Sequence, residues 1–214
     1  MRTNLLSEAS RAWIYTPADA GQEIEVIHWQ YYSFTTVLGN QDGTTCVMPS
    51  ILSFFNATAG MPTSTGVLTK QDTNIPKPNA VGSPYKFLIQ EVFPIIFPVA
   101  ATPASETAAK KQMDDVIQIL KSGVVSLNVL GVSRMEVAPL LVLGSGCGLA
   151  GGALVSQAFS NGAPLASNRY NVEIGLHKDT SFELTASFPT TFPVYNNIRI
   201  GMVMDGLLQR PKGK

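Results

Sequence analysis

Along residues 85–97 the odd positions read Tyr85, Phe87, Ile89, Glu91, Phe93, Ile95 and Phe97, large and apolar with a single exception. A period of two is the mark of a strand with one face in a core. Pro94 and Pro98 cannot donate to a ladder, which places the far end of this strand on an edge, at a bulge or outside the sheet. The same alternation returns in Phe182, Leu184, Ala186 and Phe188, and again in Ile198, Ile200, Met202 and Met204. Tyr170, Val172 and Ile174 form a shorter strand ahead of these, with NGAP before it and FPTTFP between the later two as turns. Residues 23–34 (EIEVIHWQYYSF) are rich in β-branched and aromatic types and predict one or two strands. GNQDGTT then predicts a turn centred on Asp42-Gly43, and the Gly-, Pro- and Thr-rich stretch 56–84 predicts a long connection.

One segment carries a helical pattern. Residues 106–121 follow Ser105, which suits an N-cap, and precede Gly123, which suits a helix end. Ala109, Met113, Val116, Ile117 and Leu120 make its apolar stripe, which leaves Asp114 and Asp115 on the exposed side. The run 124–129 resumes β structure. Strands over most of the length with one inserted helix predict an all-β fold: an antiparallel two-sheet jelly-roll sandwich with the helix near 106–121. The whole of 1–214 is expected to be a single domain, with a flexible N-terminal segment over about 1–20 and a basic C-terminal tail at 210–214.

Composition bears on what such a domain does. Fifteen basic and fifteen acidic residues cancel, so no whole-chain field draws in nucleic acid or an anionic membrane, and little repulsion opposes self-association. Charged residues are only 14% of the chain, fewer than an ordinary soluble surface carries, which predicts that partners cover part of it. Residues 1–10 lack the apolar stretch of a signal peptide. Residues 137–155 hold no charge, but Pro139 and glycines 144, 146, 148, 151 and 152 make them a poor membrane-spanning helix. That segment and 56–84 are therefore expected at contacts between subunits or against an inner layer.

Candidate chemistry is sparse. Gly144-Ser145-Gly146-Cys147-Gly148 has the form of the nucleophile turn in chymotrypsin-like viral cysteine proteases, with His28 as its base. His28 lies inside an aromatic strand, however, and His177 lacks the glycine-flanked setting such enzymes use, so a buried thiol accounts for the motif. No catalytic, cofactor-binding or metal-binding residues are assigned, and the chain is expected not to be an enzyme. Two histidines and two distant cysteines, Cys46 and Cys147, make no familiar zinc spacing, and whether those cysteines pair stays open. Asn40 and Asp42 suit a hairpin turn better than a calcium loop. The tail Arg210-Pro211-Lys212-Gly213-Lys214 offers at most a weak contact with a packaged genome.

Several stretches in order carry a resemblance: DVIQILKSG from Asp115 leading into VVSLNVLG, Ala138-Pro139-Leu140 before GSGCGLAGG, Asn168-Arg169-Tyr170, Phe182-Glu183-Leu184, and VMDGLLQRP from Val203. Over roughly residues 70–211 the chain resembles jelly-roll capsid proteins of non-tailed icosahedral bacteriophages. The resemblance implies a structural virion protein, a major shell or minor vertex subunit, that self-assembles in the host cytoplasm. Its implied partners are copies of itself and other capsid proteins, with an inner membrane as a further candidate, and no cofactor. A second expectation is a sugar- or receptor-binding β-sandwich module of a virion, with Trp13, Trp29, Tyr31 and Tyr32 as its candidate aromatics; the cysteine protease is the third.

Overall fold

The computed structural model describes residues 6–17, 21–39, 46–63, 66–99, 106–141, 143, 171–190 and 192–212. Alternation builds most of it. The chain runs through α1 (Glu8–Tyr15), β1 (Ile24–Val37), β2 (Cys46–Val47), β3 (Ile51–Phe54), β4 (Pro62–Thr63), β5 (Gly66–Val67), β6 (Lys86–Pro98) and α2 (Glu106–Ser122). It continues through β7 (Val124–Val129), β8 (Val132–Pro139), β9 (Asn171–Leu176), β10 (Phe182–Ser187), β11 (Pro193–Val194) and β12 (Ile198–Pro211). One four-stranded sheet has the order β1-β12-β6-β9 and the other β3-β10-β7-β8, with all pairings antiparallel. Setting aside the two-residue pairs β2–β11 and β4–β5, eight strands remain, ordered first-eighth-third-sixth and second-seventh-fourth-fifth. That interleaving is the eight-stranded double Greek key of a jelly roll.

Both sheets feed one core. Tyr31, Phe87, Ile200, Met202 and Met204 from the first meet Phe54, Leu127, Phe182 and Leu184 from the second, all buried. The even positions 198–204 and the series Phe182, Leu184, Ala186 and Phe188 are inside, as their alternation predicts. The odd positions of β6 are not inside throughout. Phe87 and Ile89 enter the core, but a register irregularity between Ile89 and Glu91 inserts Gln90 opposite β12. One extra residue exchanges the two faces of a strand. Val92 and Ile96 take over the core beyond it, and Phe93, Ile95 and Phe97 stand half-buried on the outer face. Gly206 sits at this bulge, where a side-chain carbon would meet the Leu88 carbonyl oxygen at 2.0 Å. Past Glu91, β6 pairs only with β12 among the described residues, which accommodates both prolines.

Helix α2 is where the periodicity predicts it, but rotated. Its buried side is Gln112, Asp115, Val116, Ile119 and Leu120, while Met113 and Ile117 are half-buried and Asp114 is exposed. Asp115 is therefore not on the exposed side as read from the sequence. Its carboxylate accepts from the backbone N–H groups of Tyr195 and Asn196 and from the Asn196 side chain, which satisfies a charge that burial would otherwise penalise.

Within the segment read as flexible, residues 8–15 form α1. Ser7 caps it by accepting from the Ser10 N–H, and Glu173 accepts from the Ser7 N–H and from both serine hydroxyls. A carboxylate at a helix N-terminus also suits the helix dipole. These serine hydrogen bonds, Ser10 first, hold the Glu173 carboxyl below its ordinary range. At the other end Gln209 donates to the Ile14 and Thr16 carbonyls, and Lys86 donates to Thr16 while lying 5.1 Å from the Trp13 ring centroid. Ile14 is buried against Leu88 and Leu207. The residues read as the start of a basic tail belong to β12 as far as Pro211, with Arg210 paired to Glu25 and the Lys212 N–H bonded to Glu23.

Candidate functional site

The jelly-roll order sends its connections to two ends. At one, β7 and β8 join through Leu130 and Gly131, and β9 and β10 through a turn in which the Thr180 N–H donates to the His177 carbonyl. The connection from β3 to β6, residues 55–85, also leaves from this end. It folds back on the body, burying Thr73, Ile75, Ala80 and Val81. At the opposite end β1, β6, β8 and β10 finish and β3, β7 and β12 begin.

This second end is tied by polar groups and faced with apolar ones. Val37 and Pro98 both pair with Ile198, the Val99 N–H donates to the Asn197 carbonyl, and the Gly39 N–H donates to Asn197 Oδ1 at 2.9 Å. Val47 pairs with Pro193, and Asp115 holds the next turn from below. Around these ties Leu38, Val47, Val99 and Tyr195 are 53%, 48%, 52% and 38% exposed. Ile51 and Leu141, also exposed, open β3 and follow β8 at the same end. Lys111 lies over the Tyr195 ring at 4.9 Å, a cation–π contact.

A second feature lies at the side of the sandwich. An open groove of about 990 Å³ is bounded by β1 at His28, Trp29, Gln30 and Tyr32, and by the 58–76 connection at Lys70 and Asn74. Of the four aromatics singled out in the sequence, Tyr31 is buried, Trp13 and Tyr32 are half-buried, and Trp29 is exposed on the groove. Its ring meets Tyr31 edge-on at 6.4 Å, and Tyr31 in turn meets Phe87 at 4.9 Å.

His28 Nε2 is 2.8 Å from Asp205 Oδ1, a buried carboxylate on the neighbouring strand. Cys147 and its glycine turn, Asn40, Asp42, Ser105 and most of 137–155 lie outside the described residues, and so does the pairing of His28 with Cys147 read from the sequence. His177 packs edge-on against Trp13 at 6.4 Å. Among the described residues no group of three or more histidines, cysteines or carboxylates could hold a metal ion, and no helix is long and apolar enough to cross a membrane. Lys70 and Asn74 were not singled out by sequence, and Asp115 was read only as an exposed helix residue. Asn74 and Asp115 act through partners distant along the chain, and local pattern carries no sign of either. No protein-family model, curated protein or solved structure matches the chain.

Proposed function

We propose that this chain is a structural subunit of an icosahedral virus shell, a major shell or minor vertex protein that assembles with copies of itself and with other capsid proteins. The observation that carries this reading is the loop-built end of the jelly roll, where Leu38, Val47, Val99 and Tyr195 face outward on a braced frame. Apolar side chains held in place at one end of a sandwich are suited to burial against a neighbour. A net charge of zero leaves little repulsion to resist it. In a closed symmetric assembly each contact is repeated, so modest interfaces add up to a stable particle. The basic residues near the C-terminus support at most a weak genome contact, since Arg210 and Lys212 already face Glu25 and Glu23.

Purified protein viewed by negative-stain microscopy tests the reading. Closed shells or rings of subunits are expected. Dispersed monomers across protein concentration and salt would reject it. One observation favours a second reading, a receptor- or sugar-binding module of a virion: Trp29 stands exposed on an open groove with Gln30 and Lys70 nearby. No catalytic role is proposed, because His28 is engaged by Asp205 and no nucleophile is placed beside it among the described residues.

A further inference from the structure

The groove touches His28, Trp29 and Gln30 in direct succession. Successive side chains of a strand point to opposite faces, so a groove that meets all three runs along the edge of β1 and not over either face. One of its walls is backbone. The direction of that backbone is fixed further along the strand. The Tyr32 N–H donates to Asn74 Oδ1 at 2.8 Å, the Tyr32 carbonyl accepts from the Asn74 N–H at 3.3 Å, and the Phe34 N–H donates to the Asp72 carbonyl at 2.7 Å. Even-numbered residues of β1 therefore turn both backbone groups away from β12. Residues 72–74 cover this edge as a short imitation strand, and the Asn74 amide ends it by donating to the Gln30 carbonyl at 2.8 Å. Ile75 then turns into the core. Beyond that point the Gln30 N–H and both backbone groups of His28 and Val26 face outward, with no backbone partner among the described residues.

An uncovered strand edge is a template for another strand, and proteins ordinarily block it. Here half is blocked and half is left open onto a groove. We propose that the open half of the β1 edge is an acceptor site for an extended acidic segment of a partner protein, added to the sheet as a further strand. The pattern of donors and acceptors along Val26, His28 and Gln30 is matched by extended polypeptide. The charge of the segment follows from the lining: Lys70 stands exposed on the facing wall in no ion pair among the described residues, no carboxylate lines the groove, and the His28 ring is committed to Asp205. The exposed Trp29 ring, edge-on to Tyr31, supplies an apolar anchor for one side of the incoming strand. This site does not depend on a role in a shell.

The test uses the full chain and two capped probe peptides of alternating threonine and valine, one carrying aspartates and the other lysines in their place. Amide hydrogen exchange followed by NMR is expected to slow about tenfold or more at Val26, His28 and Gln30 with the acidic probe, while Trp29 and Tyr31, which face β12, stay as they were. Gln30→Pro removes one outward N–H without touching the β12 ladder, and should weaken binding of the acidic probe about tenfold. Lys70→Glu, on an exposed side chain, should reverse the preference between the probes. Absence of protection at saturating acidic probe, equal protection by both probes, or a preference unmoved by Lys70→Glu would overturn the proposal.

Discussion

The two ends of the sandwich reach order by different means. At the end with the two tight turns, aromatic packing is dense: Phe55 and Phe182 meet at 5.9 Å, both fully buried, and Phe87 fills the core beside Tyr31. The outer face there is closed by α1. At the loop-built end Phe188 and Phe192 also pack, 6.2 Å apart, but hydrogen bonds through Asp115 and Asn197 add a second tie, and apolar side chains are left facing outward. Exposed apolar residues are not confined to that end, since Leu130 and Val132 protrude at the tight turn. What differs is the frame: at the loop end Gly39, Val99 and the 195–197 turn are tied together and braced by Asp115, which makes a surface, whereas Leu130 and Val132 tip one hairpin.

The largest expected effect probes the packed end. Phe87→Ala empties a fully buried aromatic site and should cost about 3–5 kcal/mol in denaturant unfolding. A loss below about 1 kcal/mol would mean that this half of the core is not packed as described. Next comes the brace of the loop end. Asp115→Ala strips acceptors from the Tyr195 and Asn196 amides and should cost about 1–3 kcal/mol, with faster exchange confined to residues 193–197. Faster exchange spread evenly over both ends would erase the distinction.

A smaller effect is read by pH at the α1 clasp. The Glu173 carboxyl titrates below its ordinary range in the folded chain, so its contribution is present above the unfolded value and is lost as pH falls through the folded one. Acidification through and below the ordinary carboxylate range should therefore loosen α1, read as a change in Trp13 fluorescence in a Trp29→Phe background. Glu173→Gln should flatten that transition. An unchanged transition in this variant would remove Glu173 from the clasp.

Much of this architecture could be read along the chain, and the failures share a cause. Alternation located the inward faces of β10 and β12, and the 3.6-residue period located α2, because each is a local pattern imposed by burial of one face. The bulge at Gln90 left no trace, since residues 86–98 carry apolar side chains at both parities and either phase satisfies the pattern. Helix α1 is only eight residues long and is held by Glu173, Lys86 and Gln209, all far along the chain. Its available signal was Ser7 followed by Glu8, an N-cap with an acidic first turn. Asp115 was misplaced for the same reason: a carboxylate predicts solvent unless its partner is known, and Asn196 lies 81 residues away. The covered and open halves of β1 likewise depend on residues 72–74, which read only as loop.

The central claim is that the loop-built end is where subunits meet, and paired charge substitutions test it most directly. Val99→Asp and Leu38→Asp place carboxylates on exposed positions of that end, where the isolated subunit should change in stability by no more than about 0.5 kcal/mol. Leu130→Asp and Val132→Asp do the same at the tight turn. Particle mass is then followed by light scattering and negative-stain microscopy at matched concentration. The account predicts that the loop-end variants stay as folded, unassembled subunits, because an unpaired charge in a dry interface costs several kcal/mol, while the turn-end variants assemble like the parent. Particles formed equally by all four variants would contradict it.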